Sequence, residues 1–348
     1  MFQGRGLATG IGSLPMQDVE AAVRLVLNRL PEIPFWPQFP KIGFREQMIP
    51  QYGEGFPGIV EDGVKERVYV DAGRALSELE GFYEKEMAGD IAPFGITPSH
   101  ALGLVPWIRE LRSHRPPELT CVKGHVTGPI TFGFTVKDEK GAAIFYDPNL
   151  ADAVTRLVAM KALYQIRLFR EFEVPTIIFL DEPYMAAFGT TGMNIGREDV
   201  VRVVDQVVEK IREAGGIAGI HCCGNTDWSI LFETQVDIVN FDAYDYMEKM
   251  ALYPEQISAF LDRGGNLAWG LIPTSRDGKE ETAESLAQRF HSGVDRLVRL
   301  GVDHDKLVHQ CLVTPACGMG SISESAAMRN LAVLQELSAL LRNELAAP

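Results

Sequence analysis

Eight short apolar runs alternate along this sequence with segments of helical periodicity, and that alternation leaves few folds open. The runs are Leu7–Leu14, Ile33–Phe39, Thr120–Ile130, Thr176–Asp181, Ile217–Cys223, Ile238–Tyr244, Leu267–Ile272 and Leu307–Thr314. Each has strand length, and most lead into apolar residues at helical spacing, such as Val200, Val204, Val207, Val208 and Ile211. Turn chemistry punctuates the pattern. Asp147-Pro148 reads as an N-cap with proline at the first helical position, and Gly215-Gly216 reads as a helix end. Eight such units predict an α/β fold, a (β/α)8 TIM barrel, with a doubly wound open sheet as the other arrangement that fits. The expected organisation is a single barrel over residues 1–348. The long connection 40–118, after the second run, is expected as an insertion standing over the barrel mouth as a lid or docking surface.

Charge narrows the partners. With 33 basic and 47 acidic residues the net charge is −14, which argues against non-specific nucleic-acid binding and against docking to anionic membranes. No apolar run approaches the roughly 20 residues of a membrane span, and the first residues carry no apolar leader. Five scattered cysteines suit reduced thiols better than a disulfide framework, so a cytoplasmic protein is expected.

In a barrel, reactive groups sit at the C-terminal ends of strands. Those ends carry Gly12-Ser13, Asp181-Glu182, His221-Cys222-Cys223, Asp242 and, just past the last run, Cys317. His221 and Cys223 are two apart on a strand and share a face, while Cys222 points the other way. Together with Cys317 they make the ligand set of a zinc site with an open position, and Asp242 is the candidate fourth donor. The competing reading is a hydrogen-bonded core histidine beside cysteines buried as small hydrophobes. Asp181 and Glu182, straight after an apolar strand, either hold a substrate ammonium or complement a helix N-terminus.

Taken together, Ile11-Gly12-Ser13, the run GHVTGP at Gly124–Pro129, Asp181-Glu182-Pro183, His221-Cys222-Cys223 and PACG at Pro315–Gly318 resemble the catalytic barrel of cobalamin-independent methionine synthase. The superfamily also holds uroporphyrinogen decarboxylases and thiol methyltransferases that use methylated corrinoids. The resemblance implies a (β/α)8 barrel with zinc on His221, Cys223 and Cys317, and with Asp242 where the family has a glutamate ligand. It implies that Ser13 and Asp181 hold the amino-acid part of homocysteine; Gly12, Glu182 and Glu46 are further candidate substrate contacts from their own positions in the sequence.

The sequence departs from that family at several points. It lacks the family's tryptophan after GHVTGP, the histidine expected in Trp269–Ser275 and the glutamate motif after Phe39, for which Glu46 is the candidate substitute. The chain also has no room for a second barrel. These departures resemble the short forms that take their methyl group from a methylated corrinoid. The implied activity is zinc-dependent methylation of a small thiol, homocysteine giving methionine, from a methylcorrinoid (cobalamin) or methyltetrahydrofolate. A corrinoid protein is the candidate macromolecular partner. A coenzyme M-type thiol methyltransferase and a non-catalytic zinc- or corrinoid-binding accessory protein are the alternatives. Uroporphyrinogen decarboxylation would leave His221, Cys223 and Cys317 without a role.

Overall fold

The structure is a computed structural model and describes residues 2–274 and 281–346; Ser275, at the end of the stretch read for a missing histidine, lies outside them. Ten strands are present among the described residues: β1 (Leu7–Ala8), β2 (Ile59–Asp62), β3 (Arg67–Val70), β4 (Val122–Thr127), β5 (Lys137–Asp138), β6 (Thr176–Asp181), β7 (Ile217–Cys222), β8 (Ile238–Phe241), β9 (Asn266–Ile272) and β10 (Cys311–Pro315). Seven form a parallel sheet in the order β1-β10-β9-β8-β7-β6-β4, and the other three form a small sheet, β2-β3-β5. Helices follow the large sheet's strands, including Pro148–Phe169, Arg197–Glu213, Ala283–Arg299 and Glu324–Ala346. This is a mixed α/β, TIM-barrel-like fold built on a curled parallel sheet.

The second predicted run behaves differently from the rest. Ile33–Phe39 forms no continuous strand; single bridges join Phe35 to Lys123 of β4 and Gln38 to Ser13 beyond β1. Pro34, Pro37 and Pro40 supply the reason, because a proline has no N–H to give to a ladder. The segment still lies between the sheet's two edges, linked by Lys123 N–H to Pro34 O (3.0 Å) and Leu14 N–H to Gln38 O (2.8 Å). The last run also differs. Leu307 and Val308 belong to the helix His304–His309, and β10 starts at Cys311.

Strand parity sorts side chains into two layers. Ile33, Cys121, Ile177, Phe179, Ile238, Ala268 and Leu312 pack together as a small core of their own. A far larger core joins the opposite strand faces to the helices and takes in Cys222 and Cys311. The small core therefore fills the inside of the sheet's curl, and the helices cover its outside. Segment 40–118 carries the helices Met48–Gly53, Ala72–Met87 and Leu104–Ser113 besides β2 and β3. Among the described residues no helix is long and apolar enough to cross a membrane.

Candidate metal and substrate site

Register brings the chemistry together. In the sheet Thr127 faces Asp181, Asp181 faces His221 and His221 faces Asn240 across adjacent strands. Cys223 follows the end of β7, and Cys317 lies two residues beyond β10. The ligand atoms of His221, Cys223 and Cys317 lie within 4.8 Å of one another, the one such cluster among the described residues. His221 is buried, and its Nε2 has no hydrogen-bond partner. Its other nitrogen, Nδ1, bonds to Asn240 Oδ1.

The two sulfurs shift each other's pKa in opposite directions. The hydrogen bond from Cys317 and the neighbouring imidazole draw the Cys223 thiol down to about 4 against its burial. The same bond, together with burial, drives Cys317 far up. Burial works against a charged His221, yet the Cys223 sulfur, Asp181 and Asn240 hold its pKa above the ordinary histidine value. An orphaned imidazole nitrogen beside two sulfurs, one with its pKa drawn down, fits a borderline-soft ion such as zinc.

These groups edge a cavity of about 480 Å³. Asp181, His221, Cys223, Cys317 and Ser13 line it, with an apolar wall of Ile11, Pro40, Met48 and Pro183. Asp181 is buried, and its Oδ1 has no partner. Burial raises its pKa to about 6, against the pull of His221 and of Lys123. Lys123 is buried inside the curl of the sheet, where its Nζ donates to Ile11 O at 2.7 Å and lies 4.3 Å from the centre of the Phe179 ring. Burial brings it down to about 8.

The loop after β10 closes against the first strand segment. Met319 N–H donates to Ser13 O (2.9 Å), and Gly320 N–H donates to Ser13 Oγ (3.1 Å). Gly318 makes this approach feasible, since a Cβ there would come within 2.2 Å of Ser13 Oγ. Gly12 plays a similar part. Its missing side chain leaves room for Gln38 Oε1 and His125 Nε2, which would lie 2.6 and 2.8 Å from a Cβ.

Three expected site residues have other occupations. Glu182 is fully buried but turns away from the cavity, accepting from Ile130 N–H (2.9 Å) and Thr131 N–H (2.6 Å) at the start of the helix Pro129–Thr135. Glu46 reaches the cavity lining, but each of its oxygens already accepts a backbone N–H, from Phe39 (2.8 Å) and Leu102 (2.7 Å). Asp242 is not among the three clustered donors, and its Oδ1 caps the helix Ala243–Met250 through Asp245 N–H (2.9 Å). Burial raises its pKa to about 6.

Other residues went unread in the sequence. Asn240 has a local signal, a lone amide inside the apolar strand Ile238–Phe241. Gln38, Lys41, Gln47 and Met48 line the cavity without one.

No family model matches this chain, and neither does any curated protein. Among solved structures, a B12-independent methionine synthase from Shewanella sp. W3-18-1, in complex with selenomethionine, aligns with a TM-score of 0.56. The alignment covers 98% of this chain and 99% of that one at 18% identity, and so shows a shared fold. A GH20 module of a pneumococcal exo-beta-D-N-acetylglucosaminidase aligns over 98% of this chain and 89% of its own, at TM-score 0.44 and 9% identity, too distant to bear on function.

Proposed function

We propose that this chain is a zinc-dependent methyltransferase that methylates an amino-acid thiol, homocysteine being the substrate that fits best. The observation carrying the proposal is the convergence of the orphaned His221 Nε2 with Cys223 and Cys317 at the edge of a cavity that also holds an unpartnered carboxylate oxygen. Zinc held by two cysteines and a histidine keeps a coordination position open and makes an added thiol a thiolate at neutral pH. The chain's own residues supply orientation. Asp181 Oδ1 accepts from the substrate ammonium, and Ser13 and the Gly318–Ser321 backbone border the rest of the amino acid. Ile11, Pro40, Met48 and Pro183 keep water from the sulfur. Residues 40–118 serve as an insertion over the mouth, contributing Pro40, Lys41, Gln47 and Met48 to the lining. The structural neighbour, a methionine synthase bound to selenomethionine, supports an amino acid of this type as the occupant.

The methyl donor is a methylcorrinoid, free or carried on a corrinoid protein, or methyltetrahydrofolate. Metal analysis followed by transfer assays tests the whole reading. The expected result is about one zinc per chain and methionine formed from homocysteine with one of the two donors. Full activity in zinc-free protein would overturn it, as would zinc-loaded protein that methylates no thiol with either donor. A coenzyme M-type enzyme would instead methylate a thiol that has no ammonium group.

A further inference from the structure

The three hydrogen bonds of Asn240 fix which way its amide points. Its Nδ2 donates to Ala268 O at 2.8 Å and to Thr314 Oγ1 at 2.8 Å. A backbone carbonyl can only accept, so the amide end facing Ala268 must be the nitrogen. That leaves Oδ1 toward His221 Nδ1. An amide oxygen can only accept as well, so His221 must carry a proton on Nδ1. Its Nε2 then faces Cys223 and Cys317. The Ala268 carbonyl and the Thr314 hydroxyl belong to β9 and β10, which lie beyond β8 on the side away from His221.

We propose that Asn240 is a positioning residue: braced by Ala268 and Thr314 on the next two strands, it holds the His221 ring with Nδ1 protonated and so reserves Nε2 as a metal donor. The inference rests on the zinc reading of the site and adds to it a support that spans β7 to β10. Histidine ligands need such a partner because a freely rotating ring presents either nitrogen, and removing an outer partner of this kind typically costs tenfold to a hundredfold in metal affinity. Asn240 touches neither the cavity nor, by this argument, the substrate. Its effect passes through His221 alone.

Two readouts test the proposal on the full chain. The first is zinc affinity by chelator competition. Asn240→Leu, which keeps the volume and deletes both ends of the relay, should bind zinc about tenfold to a hundredfold more weakly. Thr314→Val, which removes one of the two braces, should fall between that variant and the unmodified protein. The second readout is exchange of the imidazole Nδ1 proton, followed by nitrogen-15-edited NMR with and without zinc. The unmodified protein should show a slowly exchanging proton on His221 Nδ1 in both states, and Thr314→Val should exchange it faster. Zinc affinity unchanged in folded Asn240→Leu would overturn the proposal. A His221 Nδ1 without a protected proton would overturn it too. Should Asn240→Leu fail to fold, Thr314→Val decides by the same measures. If the unmodified protein binds no zinc, the functional reading falls, and the proton measurement on metal-free protein still decides whether Asn240 sets the ring.

Discussion

Asp181 and Glu182 are neighbours in sequence, yet one faces the inner rim of the curled sheet and the other the layer outside it. Outside, Glu182 has both carboxylate oxygens occupied by backbone N–H groups, so a fully buried acid is satisfied where it stands. Inside, Asp181 keeps Oδ1 without a partner, and His221 keeps Nε2 without one only a strand away. An unmet buried polar group costs about 1–3 kcal/mol. The outer layer avoids that cost at Glu182, whereas the inner rim carries it at two adjoining positions. Such a cost is tolerated where a ligand relieves it. The same difference separates Asp181 from Glu46, which borders the cavity but has spent its oxygens on the chain itself.

The largest expected effects test this division. His221→Ala should abolish zinc binding and thiol methylation together, read by metal analysis and methionine formation. Glu182→Ala should do the reverse. It orphans two buried N–H groups at about 1–3 kcal/mol each, measured by denaturant unfolding, while the folded fraction keeps its zinc. Zinc lost with Glu182 would erase the contrast. Its pH dependence has a definite sign. Burial lifts Glu182 from the ordinary value of 4.5 to about 7. That contribution to stability is therefore complete below about pH 4.5 and is lost as pH rises through about 7. Glu182→Gln should flatten the dependence of unfolding free energy on pH across that window, relative to the unmodified chain.

The inward turn of Asp181 and the outward turn of Glu182 were legible in principle, because alternation along β6 puts successive residues on opposite faces. The same rule put His221 and Cys223 on one face. The alternation of strands and helices pointed to a barrel-like sheet for the same local reason. What the sequence withheld depends on register. Asn240 matters through atoms 28 and 74 residues away, on strands whose alignment no local pattern states. Asp242 stands out as a candidate donor from its place at a strand end, and that same place makes it the cap of the helix starting at Ala243, a role the sequence reading missed. At Ile33–Phe39 the apolar content was strand-like while Pro34 and Pro37 within it, and Pro40 just after it, argued against a ladder, and the prolines prevailed.

A middle-sized effect is expected at Asp181 itself. Asp181→Asn keeps the shape and removes the charge, so it should leave zinc content unchanged. A hydrogen bond to a charged group is worth about 1.5–3 kcal/mol, and losing it should raise KM for homocysteine roughly tenfold to a hundredfold. A thiol without an ammonium group should be unaffected. Equal losses for both thiols would mean that Asp181 acts on the metal donors and not on the substrate.

The smallest expected effect is at Asp242, and it sharpens the boundary of the rim. Its Oδ1 caps the helix Ala243–Met250, and its burial leaves little access to water. If capping is its whole role, Asp242→Ala should cost about 1 kcal/mol of stability, the usual loss at an N-cap. Asp242→Ser should restore most of it, since a hydroxyl also accepts from the third residue of the helix. Zinc affinity should stay within a few-fold in both variants. A carboxylate ligand would behave otherwise, because serine rescues a cap but does not replace a ligating carboxylate. Zinc affinity that falls by orders of magnitude in both variants would move Asp242 from the helix into the metal's coordination, and the end of β8, which lies between β7 and β10, would then join theirs in holding the metal.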